Sequence, residues 1–109
     1  MCTQIGTGTI AHIIARTGDT DKLGLLLEKQ GDLVQAKDQN GWMPLHEGVR
    51  AGHVDVVELL VKKGSNVNER TNHGIGGTAL WLALEEHGED HPMTQFLQTI
   101  GAISIGPEL

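Results

Sequence analysis

Apolar residues in the middle of the chain fall into two short stripes. Leu45 and Val49 stand four apart, and Val54, Val57, Leu60 and Val61 follow at spacings of three and four, the period of side chains that share one helix face. Pro44 stands where the first helix would begin, a place where its missing N–H is not needed, and Gly52 separates the two stripes. The pattern predicts helix, turn, helix. Each segment is shorter than the roughly 12 residues an isolated helix needs in water, so neighbours must supply the stability.

The same unit recurs along the chain. Thr9-Ile10-Ala11-His12, Met43-Pro44-Leu45-His46 and Thr78-Ala79-Leu80-Trp81 align, with starts 43 − 9 = 34 and 78 − 43 = 35 residues apart. Each is followed by a glycine break, at Gly18, Gly52 and Gly88, and then by an apolar segment ending at Gly31, Gly64 and Gly101. Asp38-Gln39-Asn40-Gly41 and Asn72-His73-Gly74 read as turns between units, because Asn and Gly accept the positive φ that other residues resist. A translational repeat of this length implies units that bury their apolar faces against one another.

The middle unit resembles the ankyrin-repeat family in Asp38, Gly41, Met43-Pro44-Leu45-His46, Ala51-Gly52-His53, Val56-Val57, Leu59-Leu60, Gly64 and Val67-Asn68. The first unit keeps Thr9, His12, Ala15-Arg16, Gly18-Asp19, Leu25-Leu26-Leu27 and Gly31 but has Ile10 for the proline. The third keeps Gly77-Thr78, Leu80, Ala83, Phe96-Leu97 and Gly101-Ala102, has Trp81 for the histidine, and carries two extra residues before Thr78 and two around Glu89-Asp90. The resemblance implies an all-α ankyrin-repeat solenoid of about three helix-turn-helix repeats with hairpin or β-turn fingers. Taken as one domain, residues 1–109 divide into repeats near 5–37, 38–70 and 71–102 and a tail 103–109, whose Ile103, Ile105 and Leu109 suggest a cap folded over the last repeat. It also implies that His12 and His46 bond the turn backbone and join neighbouring repeats.

In this family partners are met by the fingers and by the exposed face of each first helix. Carried onto this sequence, those positions are Gln39, Asn40, Trp42, Arg50 and Ala51 in the second unit, Asn72, His73, Ile75, Glu85 and Glu86 in the third, and Arg16 with Thr17 in the first. The surface runs from cationic to acidic, which fits a protein or peptide of mixed charge with an apolar anchor at Trp42. For Trp42 both a binding anchor and packing within the repeat stay open. Trp81, beside Leu80 and Leu82, reads as partly core. The expected function is therefore a protein-protein interaction module and not an enzyme. The stretches around Gly74, Glu86 to Pro92 and Gly106-Pro107-Glu108-Leu109 also resemble ankyrin arrays attached to algal prolyl 4-hydroxylase-like oxygenases. That resemblance implies an accessory, substrate-positioning array of a larger enzyme, itself non-catalytic.

Charge and composition narrow the partners. The 109 residues are 39% hydrophobic and 20% charged, with a net charge of −6, the balance of a folding domain but not of a phosphate-backbone binder, which needs clustered Lys and Arg. Nucleic acid is not an expected partner. Apolar runs such as Leu59-Leu60-Val61 fall far short of the ~20 residues that cross a bilayer, so neither is a membrane. Cys2 is the sole cysteine and no basic start precedes an apolar run, which together suggest an intracellular, cytoplasmic protein. Self-association is compatible with so few repeats.

Other chemistry weighs less. His87-Gly88-Glu89-Asp90-His91 has metal-ligand residue types, but Gly88 and Pro92 should break the helix between the imidazoles. A solvated loop with Asp90 as N-cap is expected, with no metal and no cofactor. Gly74-Ile75-Gly76-Gly77 lacks the Lys-Ser/Thr of a phosphate loop and reads as a finger tip. Cys2, near the terminus, is not expected to act as a nucleophile. Asn68 occupies a position hydroxylated in some family members; a turn asparagine bonding the backbone is the expected role.

Overall fold

The structure, a computed structural model, describes residues 9–108. Cys2, Leu109 and the expected start of the first repeat near residue 5 lie outside the described residues. Helices come in pairs, α1 (Ile10–Thr17) with α2 (Thr20–Lys29), α3 (Pro44–Ala51) with α4 (Val54–Lys62), and α6 (Ala79–Glu86) with α7 (Pro92–Thr99). A single turn, α5 (Thr71–Gly74), lies in the finger before α6. Two rows result: α3 packs on α1 and α6, while α4 packs on α2 and α7. No strand occurs among the described residues, and no helix there is long and apolar enough to cross a membrane.

The predicted stripes form the core. Leu45, Val49, Val57 and Leu60 are fully buried, and Val56 joins them, while Val54 and Val61 pack at its edge. Gly18 and Gly52 end α1 and α3 at φ 87° and 84°, the left-handed cap that glycine adopts without a Cβ clash. Gly31 behaves differently. α2 caps at Gln30, and Gly31 opens a 3-10 turn through Gln35 that carries Val34 into the core.

Histidines tie the repeats together. In α1 the His12 Nδ1 accepts from the Thr9 N–H at 3.0 Å while its Nε2 meets the Trp42 carbonyl at 2.6 Å. In α3 the His46 Nδ1 accepts from the Met43 N–H at 2.9 Å and its Nε2 meets the Glu69 carbonyl at 2.9 Å. Because Nδ1 faces an N–H in both rings, the proton sits on Nε2 and is donated to the carbonyl. Each neutral imidazole thus satisfies one orphan donor at a helix start and one carbonyl of the following finger. Three more rings act across repeats: His53 meets the Arg16 carbonyl at 3.1 Å, His73 that of Gln39 at 3.1 Å, and His87 that of Val49 at 2.8 Å.

The third repeat solves the same problem without the histidine. Trp81 cannot accept from the Thr78 N–H, which donates instead to the Ile105 carbonyl of the tail at 3.0 Å. The Thr78 hydroxyl donates to the Ile103 carbonyl at 2.6 Å and accepts from the Ile105 N–H at 3.0 Å. Asn68 Oδ1 accepts from the Ile103 N–H, and the Arg70 guanidinium bonds the carbonyls of Gly76 and Gly106 and pairs with Glu108. The tail is held on the third repeat by polar groups, while Ile103 and Ile105 remain 53% and 40% exposed. The extra residues before Thr78 fold as a left-handed turn, with Asn72 at φ 50° and His73 at φ 56°. It closes on Gly76 and Gly77, where a Cβ would strike Thr71 and the Trp81 ring.

The two fingers touch backbone to backbone. Asn72 N–H donates to the Asn40 carbonyl at 2.8 Å, and a Cβ on Gly41, which sits at φ 73°, would lie 2.4 Å from the His73 nitrogen. Gly41→Ala is therefore expected to cost about 2 kcal/mol or more in urea unfolding. Gly31→Ala, with nothing within 4 Å and no positive φ, should change stability by less than about 1 kcal/mol.

Burial holds the His46 imidazole below its ordinary value, outweighing the pull of the Glu69 carbonyl and of the Glu69 and Asp38 carboxylates toward the charged form. Such a group takes up its proton first in the unfolded chain, so stability is full above the unfolded value of about 6.5 and falls as pH drops through it. The loss levels off only when folded His46 is itself protonated. The melting temperature should hold between pH 8 and 7.5 and fall toward pH 5.5. His46→Gln, less stable at pH 8, should lose less over that interval; parallel curves would assign the loss elsewhere.

Candidate functional site

The first-helix row presents a cleft of about 300 Å³ lined by Arg16, Glu47, Arg50 and Ala51. α1 and α3 set these residues side by side because equivalent positions in successive repeats stack; Arg16 and Arg50 are 34 residues apart. Glu47 is buried between the helices, with its side chain 8% exposed, and its Oε1 takes the Arg16 Nε at 3.2 Å. The Arg16 side chain stays 44% exposed. Arg50 lies with its guanidinium carbon 5.8 Å from the centre of the Trp42 ring, within the range of a cation–π contact. Trp42 in turn meets the His46 ring edge-on at 5.8 Å. Half-buried at the base of the second finger, it both packs within the repeat and keeps a free surface.

Of the residues singled out from the sequence, Arg16, Arg50 and Ala51 line this cleft and Trp42 adjoins it through Arg50. Gln39 and Asn40 form the tip of the second finger, exposed, with their carbonyls bonded to the His73 ring and the Asn72 N–H of the third. Ile75 is 49% exposed on the third finger, where its carbonyl takes the Glu108 N–H. Glu85 and Glu86 are exposed at the end of α6 and do not line the cleft; Thr17, exposed on α1, bonds the Ile14 carbonyl. Glu47 was missed from sequence. Its only signal was a charged residue in the first turn of α3, a place where acids are common because they favour the helix dipole.

The loop between α6 and α7 departs from expectation. His91, not Asp90, caps α7, with Nδ1 accepting from the Met93 N–H at 3.1 Å. His87 and His91 are half-buried and stack at 4.2 Å with planes 21° apart, where a solvated loop was expected. The Gly88 turn, at φ 89°, reverses the chain so that both rings fall on one side of it. Among the described residues no group of three or more His, Cys, Asp or Glu side chains could hold a metal ion.

A family model described as ankyrin repeats in three copies matches residues 2–71. The 2-5A-dependent ribonuclease of Mus musculus is 42% identical over 57 residues, 52% of this chain and 8% of that protein. The ankyrin repeat-containing protein P1E11.10 of Schizosaccharomyces pombe is 37% identical over 62 residues, 57% of this chain and 30% of its own length. Protein phosphatase 1 regulatory subunit 12A of Mus musculus is 34% identical over 79 residues, 72% of this chain and 7% of its own. The chain thus spans less than a third of each of these relatives.

The ion pair is lopsided. Removing Glu47 leaves an exposed guanidinium that water can solvate, whereas removing Arg16 leaves a buried carboxylate unpaired. Arg16→Ala is therefore expected to lower the unfolding free energy measured in urea more than Glu47→Ala, by a difference on the order of 1 kcal/mol.

Proposed function

This chain belongs to the ankyrin-repeat family, and from that premise we propose that it binds a peptide or protein through its fingers and first-helix face, without a chemical step. The observation that carries this reading is the pairing of Trp42 with Arg50 beside the cleft of Arg16, Glu47 and Ala51. Tryptophan buries a large apolar area at small cost in conformational entropy, and it is enriched with arginine among the residues that dominate interfaces. The remaining contact positions are Gln39, Asn40, Asn72, His73, Ile75, Glu85 and Glu86, all exposed on the same repeats. Family members are in general protein-interaction modules, and a regulatory subunit stands among the relatives, which supports a binding role over a catalytic one.

Trp42→Ala with Arg50→Ala should keep the helical circular-dichroism spectrum and a cooperative melt. The same variant, immobilised beside the native protein, should fail to retain the partner that the native protein captures. Affinity for that partner should fall about 10- to 100-fold, since loss of an anchor of this kind costs about 1.4–2.8 kcal/mol. An unchanged dissociation constant would defeat the assignment of this face.

A further inference from the structure

Three features of the first-helix row go beyond a generic binding face. The first is charge segregation. Positions 16, 50 and 85 are equivalent in the three units, and they carry Arg, Arg and Glu, with Glu86 beside the last. In a chain of net charge −6, Arg16 and Arg50 are the two Lys or Arg residues on α1, α3 and α6. Lys22, Lys29 and Lys62 sit on α2 and α4, while Lys37 and Arg70 are paired with Glu69 and Glu108.

The second is how the two guanidiniums are held. Arg16 gives its Nε to Glu47, and Arg50 lies over the Trp42 ring. Hydrogen bonds leave from the N–H edge of a guanidinium. Among the described residues neither arginine spends a terminal amino group on a carboxylate. Both line the same cleft of about 300 Å³, together with Glu47 and Ala51. The third is distance. Neighbouring stacked helices lie about 8–10 Å apart, so an extended chain rising about 3.3 Å per residue crosses from the arginines to Glu85 and Glu86 in roughly three to five residues.

Resting on the groove reading above, we infer that the partner is an extended peptide whose Asp or Glu carboxylate seats between Arg16 and Arg50, with a Lys or Arg three to five residues away facing Glu85 and Glu86. The carboxylate takes charge-assisted hydrogen bonds from the terminal amino groups of the two guanidiniums. The basic residue sets direction, because reversing the peptide would place like charges together at both ends.

The probe is a random-peptide library displayed on phage and selected on the folded protein. Selected peptides should carry the acid and the base at that separation in one chain order. In fluorescence anisotropy, an Asp→Asn or Glu→Gln change in a selected peptide should weaken binding about 10-fold to the native protein, as expected for a charged hydrogen bond. It should change binding little to Arg50→Met, and Glu85→Gln with Glu86→Gln should remove the benefit of the base. Peptides that lose binding to Trp42→Ala yet show no acid enrichment would overturn the charge register and leave the groove standing. Peptides indifferent to both Trp42→Ala and Arg50→Met would overturn the groove as well, and a library that yields no binder counts against both.

Discussion

The rest of the molecule depends on a neutral imidazole that faces two ways. Helices of eight to ten residues have no stability of their own, and each leaves N–H groups at its start without intrahelical acceptors. His12 and His46 supply an acceptor to one of these and a donor to the next finger's carbonyl, from positions with no solvent exposure. A buried polar group is tolerated only when it is bonded, and here bonding one repeat correctly requires that its neighbour be in place. Local capping and stacking between repeats are thereby made the same event, which is why short elements can form a single cooperative body.

The third repeat shows what happens when that device is missing. Trp81 adds apolar bulk but offers no acceptor, so the Thr78 N–H turns to a backbone carbonyl of the tail. Once the tail is there, its own groups need partners, and Thr78, Asn68 and Arg70 provide them. A Cβ on Gly77 would strike the Trp81 ring, and one on Gly106 would press on its edge at 3.0 Å. One substitution in the repeat pattern thus accounts for the tail's course, the small residues beside it and the polar character of the cap.

Much of this could be read from the residues, because helix periodicity, a proline at a helix start and a glycine at its end each act over a few positions. The α3–α4 pair follows from Leu45, Val49 and the Val54 to Val61 stripe in this way, and His12 and His46 from the family pattern. What escaped depends on partners far along the chain. Nothing near His53, His73 or His87 reveals that a carbonyl 34 to 38 residues away will meet the ring. Asp90 was a reasonable cap by residue type, but the Gly88 turn brings His91 to that place instead. The tail's isoleucines suggested apolar burial, whereas orphan donors at Thr78 decided its path. For the cleft, Arg16 and Arg50 were visible as surface positions and Glu47, which orients one of them, was not.

The close approach at Gly41 has a bearing on how tightly any ligand can be held. Two fingers joined through the Asn72 N–H and the His73 ring are not separate loops that close on a guest, but a ruled edge whose graduations are set when the chain folds. A guest that matches those graduations meets little reorganisation and forfeits chiefly its own freedom. On the proposed reading, a guest one residue too long or too short would meet an edge already fixed by these contacts.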